Sequence, residues 1–137
     1  MEAPEHIYPI RILEHHLDAY GHVNNVAYIG FFEQARWEVI TSRGCGLEFV
    51  RDSSRGPVVL EIQCKFRREL RLRQDVMIKS RMDFWRGKVG VMNQSIEDSK
   101  GTVYCEAKIS LGLFDLKSRK LVVPDELWGK ALGLPSS

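Results

Sequence analysis

The sequence has few cysteines and no long apolar run, and each of these shortages excludes a class of protein. Its three cysteines, Cys45, Cys64 and Cys105, are widely spaced and odd in number, which argues against a disulfide framework or a zinc site. No apolar run approaches the roughly 20 residues of a membrane span. The N-terminal MEAPEHIYPI has neither the basic start nor the apolar core of a signal peptide. We therefore expect a cytoplasmic protein that does not insert into a membrane.

The sequence also has little excess charge of either sign. Twenty Lys and Arg residues against 18 Asp and Glu residues give a formal charge of +2, which is too balanced for binding nucleic acid by bulk charge. The densest basic run, Arg67 to Arg73, has none of the interleaved aromatics that single-strand binders use. We expect no nucleic-acid partner. At 137 residues, with 44% hydrophobic and 28% charged, residues 1–137 are predicted to form one soluble domain.

One long helix is predicted from Val26 to about Ser42, with Asn24 or Asn25 as its N-cap. Its apolar residues spread around most of the circumference: Ile29, Phe31, Phe32, Ala35, Trp37, Val39 and Ile40. A helix that is apolar on most sides packs inside something else.

Most of the remaining chain shows the two-residue alternation of β-strands. The predicted strands cover residues 6–14, 58–67, 76–85, 89–97 and 102–116, and a short helix runs from Pro124 to near Gly133. Pro9 places the first strand at a sheet edge or a bulge. The tight turns between most strands indicate antiparallel neighbours. The expected architecture is α+β: one curled antiparallel sheet around one apolar helix.

The segment before the helix, Asp18-Ala19-Tyr20-Gly21-His22-Val23-Asn24-Asn25, has the residues for acyl chemistry. A helix start presents unpaired N–H groups and partial positive charge, which suit an oxyanion or a polarised carbonyl. A carboxylate on the preceding loop, Asp18, is then placed to attack that carbonyl or to deprotonate a water. The alternative is that Asp18 and the asparagines only form a turn and a cap, with His22 an ordinary loop residue. The residues His15, His16 and His22 lack the spacing of a metal site, so no metal is expected.

The run His16-Leu17-Asp18-Ala19-Tyr20-Gly21-His22-Val23-Asn24-Asn25-Val26-Ala27-Tyr28, followed by Phe32-Glu33-Gln34-Ala35-Arg36-Trp37, resembles the signature of hotdog-fold thioesterases. It is most similar to the 4-hydroxybenzoyl-CoA thioesterase-like family, in the branch that contains long-chain acyl-CoA thioesterases. The resemblance implies the hotdog fold, in which a sheet wraps a central helix. It also implies a homodimer that often pairs into a homotetramer.

The resemblance further implies a role for each matched residue. Asp18 falls at the catalytic carboxylate, as nucleophile or general base, and His22 and Tyr28 at positions that shape the site. Backbone amides of Asn24, Asn25 or Val26 would polarise the thioester carbonyl. Glu33 matches a motif acid, and either faces the site or is a polar residue at the surface or dimer interface.

Two further groups of residues are candidates for holding the substrate. Arg67, Arg68 and Arg71 suit the phosphates of coenzyme A, although they would serve equally as a solvated turn, and Arg86 with Lys88 is a second candidate. An acyl chain would lie beside the helix. The side chains expected to line its tunnel, or else to be core, are Phe31, Phe32, Trp37, Val58, Leu60 and Ile62.

The expected function is hydrolysis of a medium- or long-chain fatty acyl-CoA to the free acid and CoA, within fatty acid metabolism. No cofactor is expected, since coenzyme A enters as part of the substrate. Two alternatives remain open: a thioesterase acting on acyl carrier protein, and a hotdog protein that binds acyl-CoA without hydrolysing it.

Overall fold

The computed structural model describes residues 3–134, which form six strands and three α-helices. The strands are β1 (His6–Arg11), β2 (Arg55–Phe66), β3 (Asp75–Arg86), β4 (Val89–Glu97), β5 (Val103–Asp115) and β6 (Lys120–Val122). The helices are α1 (Asn25–Ser42), α2 (Leu47–Ser53) and α3 (Glu126–Ala131), and a single 3-10 turn covers Glu14–His16. No helix within these residues is both long and apolar enough to cross a bilayer.

The strands form one antiparallel sheet in the order β1-β3-β4-β5-β2, with β6 pairing to the end of β5. The antiparallel pairing predicted from the tight turns is confirmed. β1 and β2 are the two edges, so Pro9 lies where a strand can tolerate a missing N–H donor.

Helix α1 lies across one face of this sheet and supplies much of the core. Its buried residues are Tyr28, Phe31, Phe32, Ala35, Val39 and Ile40. The inward positions of the central strands, including Ile78, Ile96 and Ile109, are fully buried beneath it. Burying a side chain of this size stabilises the fold by about 1.5–3 kcal/mol each. A curled sheet around one central helix with a short C-terminal helix is the predicted hotdog fold, which is confirmed.

Three elements differ from the sequence prediction. Helix α2 was not predicted, because seven residues are too few to display a helical period. The first strand ends at Arg11 rather than at residue 14, where the chain enters the 3-10 turn. The short strand β6 was not predicted; it follows β5 after a turn in which Arg119 has a φ of 59°.

The apolar face of β2 also differs from the prediction, because the register shifts between Val59 and Glu61. Val59 pairs with Leu111 and Ile62 with Ile109, so these two share the helix-facing side, and Leu60 leaves the alternation. Toward the end of the strand Phe66 pairs with Cys105 on the same side.

Helix α1 has its main contacts with β3, β1 and α3 rather than with β2. The inward side of β2 is therefore not covered, and Val59, Ile62 and Phe66 are 42%, 37% and 52% exposed. An open trough therefore runs between α1 and β2.

Candidate functional site

The loop before α1 folds back on itself as a small hairpin. Leu17 and Val23 form a β-bridge, and the Asp18 N–H donates to the His22 carbonyl at 2.8 Å. Gly21 at the tip has a φ of 78°, the left-handed region that glycine adopts without strain. The Asn24 N–H donates to the His16 carbonyl at 3.0 Å. These bonds fix Asp18 at the base of a closed loop that leads directly into the helix.

The Asp18 carboxylate has one oxygen engaged in the loop and one unengaged. Its Oδ1 accepts from the Tyr20 N–H at 2.9 Å and from the His22 N–H at 3.1 Å. Within residues 3–134 its Oδ2 has no hydrogen-bond partner, and the residue is half-buried. Asp18 can therefore stabilise the turn through Oδ1 and act on a substrate through Oδ2, since each role uses a different oxygen.

The start of α1 has one unengaged amide. The sequence predicted either Asn24 or Asn25 as the N-cap, and in the structure it is Asn24. The Asn24 Oδ1 accepts a hydrogen bond from the Val26 N–H at 2.9 Å. The Asn24 N–H is itself bonded to His16. In the described part of the chain the Asn25 N–H has no acceptor. Three backbone amides were expected to polarise a carbonyl, and those of Asn24 and Val26 already have acceptors. The Asn25 N–H, at the positive end of the helix dipole, is the remaining candidate donor.

The segment that follows β2 packs onto this loop and helix start. The Tyr28 hydroxyl accepts from the Leu70 N–H at 3.4 Å, and its ring meets the Phe66 ring edge-on at 5.2 Å. Burial raises the pKa of Tyr28, so the phenol stays neutral at physiological pH. His22 Nε2 lies 3.3 Å from Glu69 Oε1, with both side chains exposed. The motif residues therefore share one region with residues 66–70, and Glu69 is a neighbour that no sequence pattern identified.

The histidines before α1 make separate contacts. His16 Nδ1 accepts from the Leu13 N–H at 2.8 Å and its ring packs edge-on against Phe31 at 4.6 Å, whereas His22 faces Glu69. In the described residues no three His, Cys, Asp or Glu side chains are placed to share a metal ion.

The arginines of the basic run divide into two paired and two unpaired residues. Arg67 forms an ion pair with Glu106 at 2.9 Å, and Arg73 with Glu14 at 2.6 Å. The side chains of Arg68 and Arg71 are exposed and have no partner anywhere in residues 3–134. On the β3–β4 turn, the other basic candidate, the Arg86 guanidinium lies over the Phe84 ring at 5.3 Å.

The trough between α1 and β2 deepens into a cleft with a cavity volume of about 330 Å³. Its lining residues are Glu33, Arg36, Trp37 and Ile40 from α1, Pro57 and Val59 from β2, and Met92, Leu111 and Leu132 from the core. Trp37 lines it as expected.

A second groove, which is polar and has a volume of about 420 Å³, lies on the opposite face of the sheet. Ion pairs such as Lys79–Glu97 at 3.3 Å line that groove. Because it lies across the sheet from α1 and Asp18, the cleft on the helix side is the candidate acyl site.

Phe31 and Phe32 do not line the cleft, contrary to the expectation for a substrate-binding Phe32. Phe32 is 1% exposed and Phe31 8% exposed, and both belong to the core. The reason is the 100° step of the helix, which points these two toward the sheet and places Glu33 and Trp37 on the side of β2. Glu33 is exposed at the rim of the cleft.

Comparisons with known proteins agree on one family. The sequence profile of the thioesterase-like superfamily matches residues 12–131. The chain is 32% identical over 112 residues to the long-chain acyl-CoA thioesterase FadM of Escherichia coli, covering 81% of this chain and 84% of FadM.

Solved structures give the same result for the fold. The probable thioesterase YbaW from Escherichia coli matches with a TM-score of 0.81 and 29% identity, over 93% of this chain and 96% of YbaW. The Staphylococcus aureus protein SAV2348, solved in complex with CoA, matches with a TM-score of 0.87 over 100% of this chain and 90% of that one. At 13% identity the second likeness concerns the fold alone.

Proposed function

Because the chain belongs to the thioesterase-like superfamily, we propose that it hydrolyses medium- or long-chain fatty acyl-CoA to the free acid and CoA. As a member of this family it is a thioester hydrolase. Two observations carry the proposal: Asp18, in the closed loop, has an unengaged carboxylate oxygen, and Asn25, at the helix start that the loop leads into, has an unengaged N–H.

In the proposed reaction the thioester carbonyl oxygen accepts a hydrogen bond from the Asn25 N–H. That donor and the helix dipole stabilise the negative charge that develops on the oxygen. Asp18 Oδ2 then acts in one of two ways. As a nucleophile it forms an anhydride while the C–S bond breaks, and water cleaves the anhydride; as a general base it takes a proton from the attacking water. In both routes the thiolate of CoA leaves and is protonated, and no cofactor takes part.

The remaining motif residues are proposed to shape this site rather than to carry a chemical step. Tyr28 holds the segment after β2 through its bond with Leu70. His22 and Glu69 form an exposed pair beside the same loop. The engaged amides of Asn24 and Val26 hold the helix start in place.

The direct test of this function is thiol release, followed with a colorimetric thiol reagent, across acyl-CoAs from acetyl to palmitoyl together with benzoyl-CoA. We expect turnover with an optimum among medium and long chains. An optimum at benzoyl-CoA would overturn the proposed acyl class, and no release from any substrate would overturn the proposed function.

Arg68 and Arg71 are proposed to bind the phosphates of CoA, because the two have no competing carboxylate in residues 3–134. Replacing both by glutamate is expected to raise KM for acyl-CoA by about 10-fold or more, since a charge-assisted hydrogen bond contributes about 1.5–3 kcal/mol. The change in kcat should be small, because these side chains lie outside the reacting atoms. Steady-state kinetics at low and high salt measures the effect.

The matched control is the double variant Arg86→Glu/Lys88→Glu on the β3–β4 turn, which makes the same change of charge at the other basic candidate. A rise in KM of about 10-fold for Arg86→Glu/Lys88→Glu, with none for the Arg68 and Arg71 variant, would instead favour that turn as the nucleotide site. Arg68 and Arg71 would also give an acidic carrier protein a docking surface. A thioester of acyl carrier protein therefore stays the alternative substrate. Faster turnover of acyl carrier protein thioesters than of acyl-CoA, with a salt-dependent KM, would favour it.

A homodimer is proposed to form through β2. An edge strand that presents exposed apolar side chains and unpaired backbone groups is one that proteins normally cover. On β2 these side chains are Val59, Leu60, Ile62 and Phe66, all more than a third exposed. A second copy pairing along β2 would cover them, and a further pairing of dimers would give the tetramer.

Ile62→Glu is expected to weaken the proposed dimer by about 100-fold or more, since leaving an unpaired charge buried costs about 3–5 kcal/mol. Sedimentation or light scattering at micromolar concentrations measures the change. The control Val123→Glu, at an apolar residue that is 60% exposed outside β2, should leave the assembly unchanged. A dimer that survives Ile62→Glu and dissociates with Val123→Glu would place the interface elsewhere.

A further inference from the structure

A buried polar network lies under the helix side of the cleft. Arg36 Nη1 donates to Gln94 Oε1 at 3.0 Å. Gln94 Nε2 donates to the Phe32 carbonyl at 3.0 Å and to Ser80 Oγ at 2.9 Å. Both N–H groups of the Gln94 amide are thereby used, so its oxygen must face Arg36. Gln94 and Ser80 are 3% and 2% exposed. This buried network therefore holds Arg36 Nη1 in one position.

The rest of the Arg36 guanidinium lacks a partner in the described residues. Of its five N–H donors, one is accepted by Gln94, and no carboxylate in residues 3–134 lies within ion-pair distance of it. Burial lowers the pKa of Arg36, and the charge of nearby Glu33 acts in the opposite direction. A guanidinium remains charged in proteins. Because Arg36 lines the cleft, its remaining N–H groups are open to a hydrogen-bond acceptor from outside the described chain.

Arg36 and Glu33 share the face of α1 that leads from the helix start into the cleft. On a helix with 3.6 residues per turn, Val26, Ile29, Glu33 and Arg36 follow one another along one side. At 1.5 Å per residue, Glu33 lies roughly 12 Å and Arg36 roughly 16 Å along the axis from Asn25. An extended alkyl chain advances about 1.3 Å per carbon, given C–C bonds of about 1.5 Å. An acyl chain whose carbonyl meets the Asn25 N–H therefore passes this pair at about its ninth to thirteenth carbon.

A hydroxyl group is the function that satisfies both members of the pair. It accepts a hydrogen bond from Arg36 and donates one to Glu33. A carboxylate would meet Arg36 but be repelled by Glu33, and a plain methylene would leave the guanidinium donors unpaired. We propose that the cleft selects acyl groups that carry a hydroxyl near the ninth to thirteenth carbon, with Arg36 and Glu33 as the specificity-determining residues. This inference rests on the proposed function.

The test compares kcat/KM for ω-hydroxydodecanoyl-CoA, dodecanoyl-CoA and dodecanedioyl-CoA. We expect the hydroxylated ester to be preferred over each of the others by about 10-fold or more, because a site built to bind a hydroxyl discriminates against analogues without it. In Arg36→Met and in Glu33→Leu the ratio of hydroxylated to plain ester should fall to about one. Gln34→Leu, an exposed position on the same helix outside the cleft, should keep the ratio.

Glu33→Leu keeps the inference testable if Arg36→Met does not fold. Glu33 is exposed, and removing its side chain leaves the Gln94 network intact. Equal turnover of hydroxylated and plain esters by the unmodified protein would overturn the inference and leave the proposed function standing. If no CoA ester is hydrolysed, the proposed function fails, and calorimetry with ω-hydroxydodecanoic and dodecanoic acids tests the cleft by itself. Equal affinity for the two acids, or no binding of either, would then overturn the inference.

Discussion

Asp18→Asn is expected to lower kcat by about two orders of magnitude or more while the melting temperature stays the same. Asparagine keeps an Oδ1 that accepts from the Tyr20 and His22 N–H groups, so the closed loop persists. It replaces the unengaged Oδ2 by an amide nitrogen, which neither attacks a carbonyl nor takes a proton from water. Losing a general acid or base typically costs about 10²–10⁴ in rate. Thiol release and thermal unfolding on the same preparation measure both quantities.

Asp18→Ala separates the chemical role from the turn role. It removes both oxygens, so we expect the same loss of kcat together with a destabilisation of about 1–3 kcal/mol from the two unsatisfied loop amides. If Asp18→Asn retains activity and Asp18→Ala loses stability, Asp18 is a turn residue and the nucleophile or base lies elsewhere. If both variants lose activity and only the alanine variant is destabilised, one carboxylate serves the loop and the reaction through different oxygens.

The sheet and its central helix were predictable because their signals are local and periodic. The alternation over residues 89–97 predicts β4 to the residue, and the apolar circumference of α1 predicts its burial. The loop motif also predicts that Asp18 and the helix start are close, because they adjoin in sequence.

Features that depend on contacts distant in sequence were not predictable. The bulge near Leu60 depends on how β2 pairs with β5, so the alternation alone placed Val58 and Leu60 on the wrong face, whereas Ile62 faces the helix side as predicted. The core position of Phe32 depends on which side of α1 meets the sheet. Whether an arginine is paired likewise depends on a distant acid: Glu106 engages Arg67, whereas Arg68 beside it has no such neighbour in residues 3–134.

Asn25→Pro is expected to lower kcat by about 100-fold or more without disturbing the helix. Asn25 is the first residue of α1, where proline is well tolerated because its N–H makes no intrahelical bond. The preceding Asn24 has φ −63° and ψ 137°, the extended conformation that a residue before proline prefers. The substitution therefore removes the one unengaged donor, and loss of one such donor costs about 10²–10³ in kcat.

The matched control is Asn25→Ala, which removes the side chain and keeps the backbone N–H. The Asn25 side chain makes no hydrogen bond within the described residues, so this variant should retain most of the activity. A loss of kcat in Asn25→Pro that Asn25→Ala does not share, with helical circular dichroism unchanged in both, isolates the backbone amide as the group that polarises the carbonyl. Equal losses in the two variants would instead assign the effect to the side chain, and full activity in Asn25→Pro would contradict the proposed geometry at the helix start.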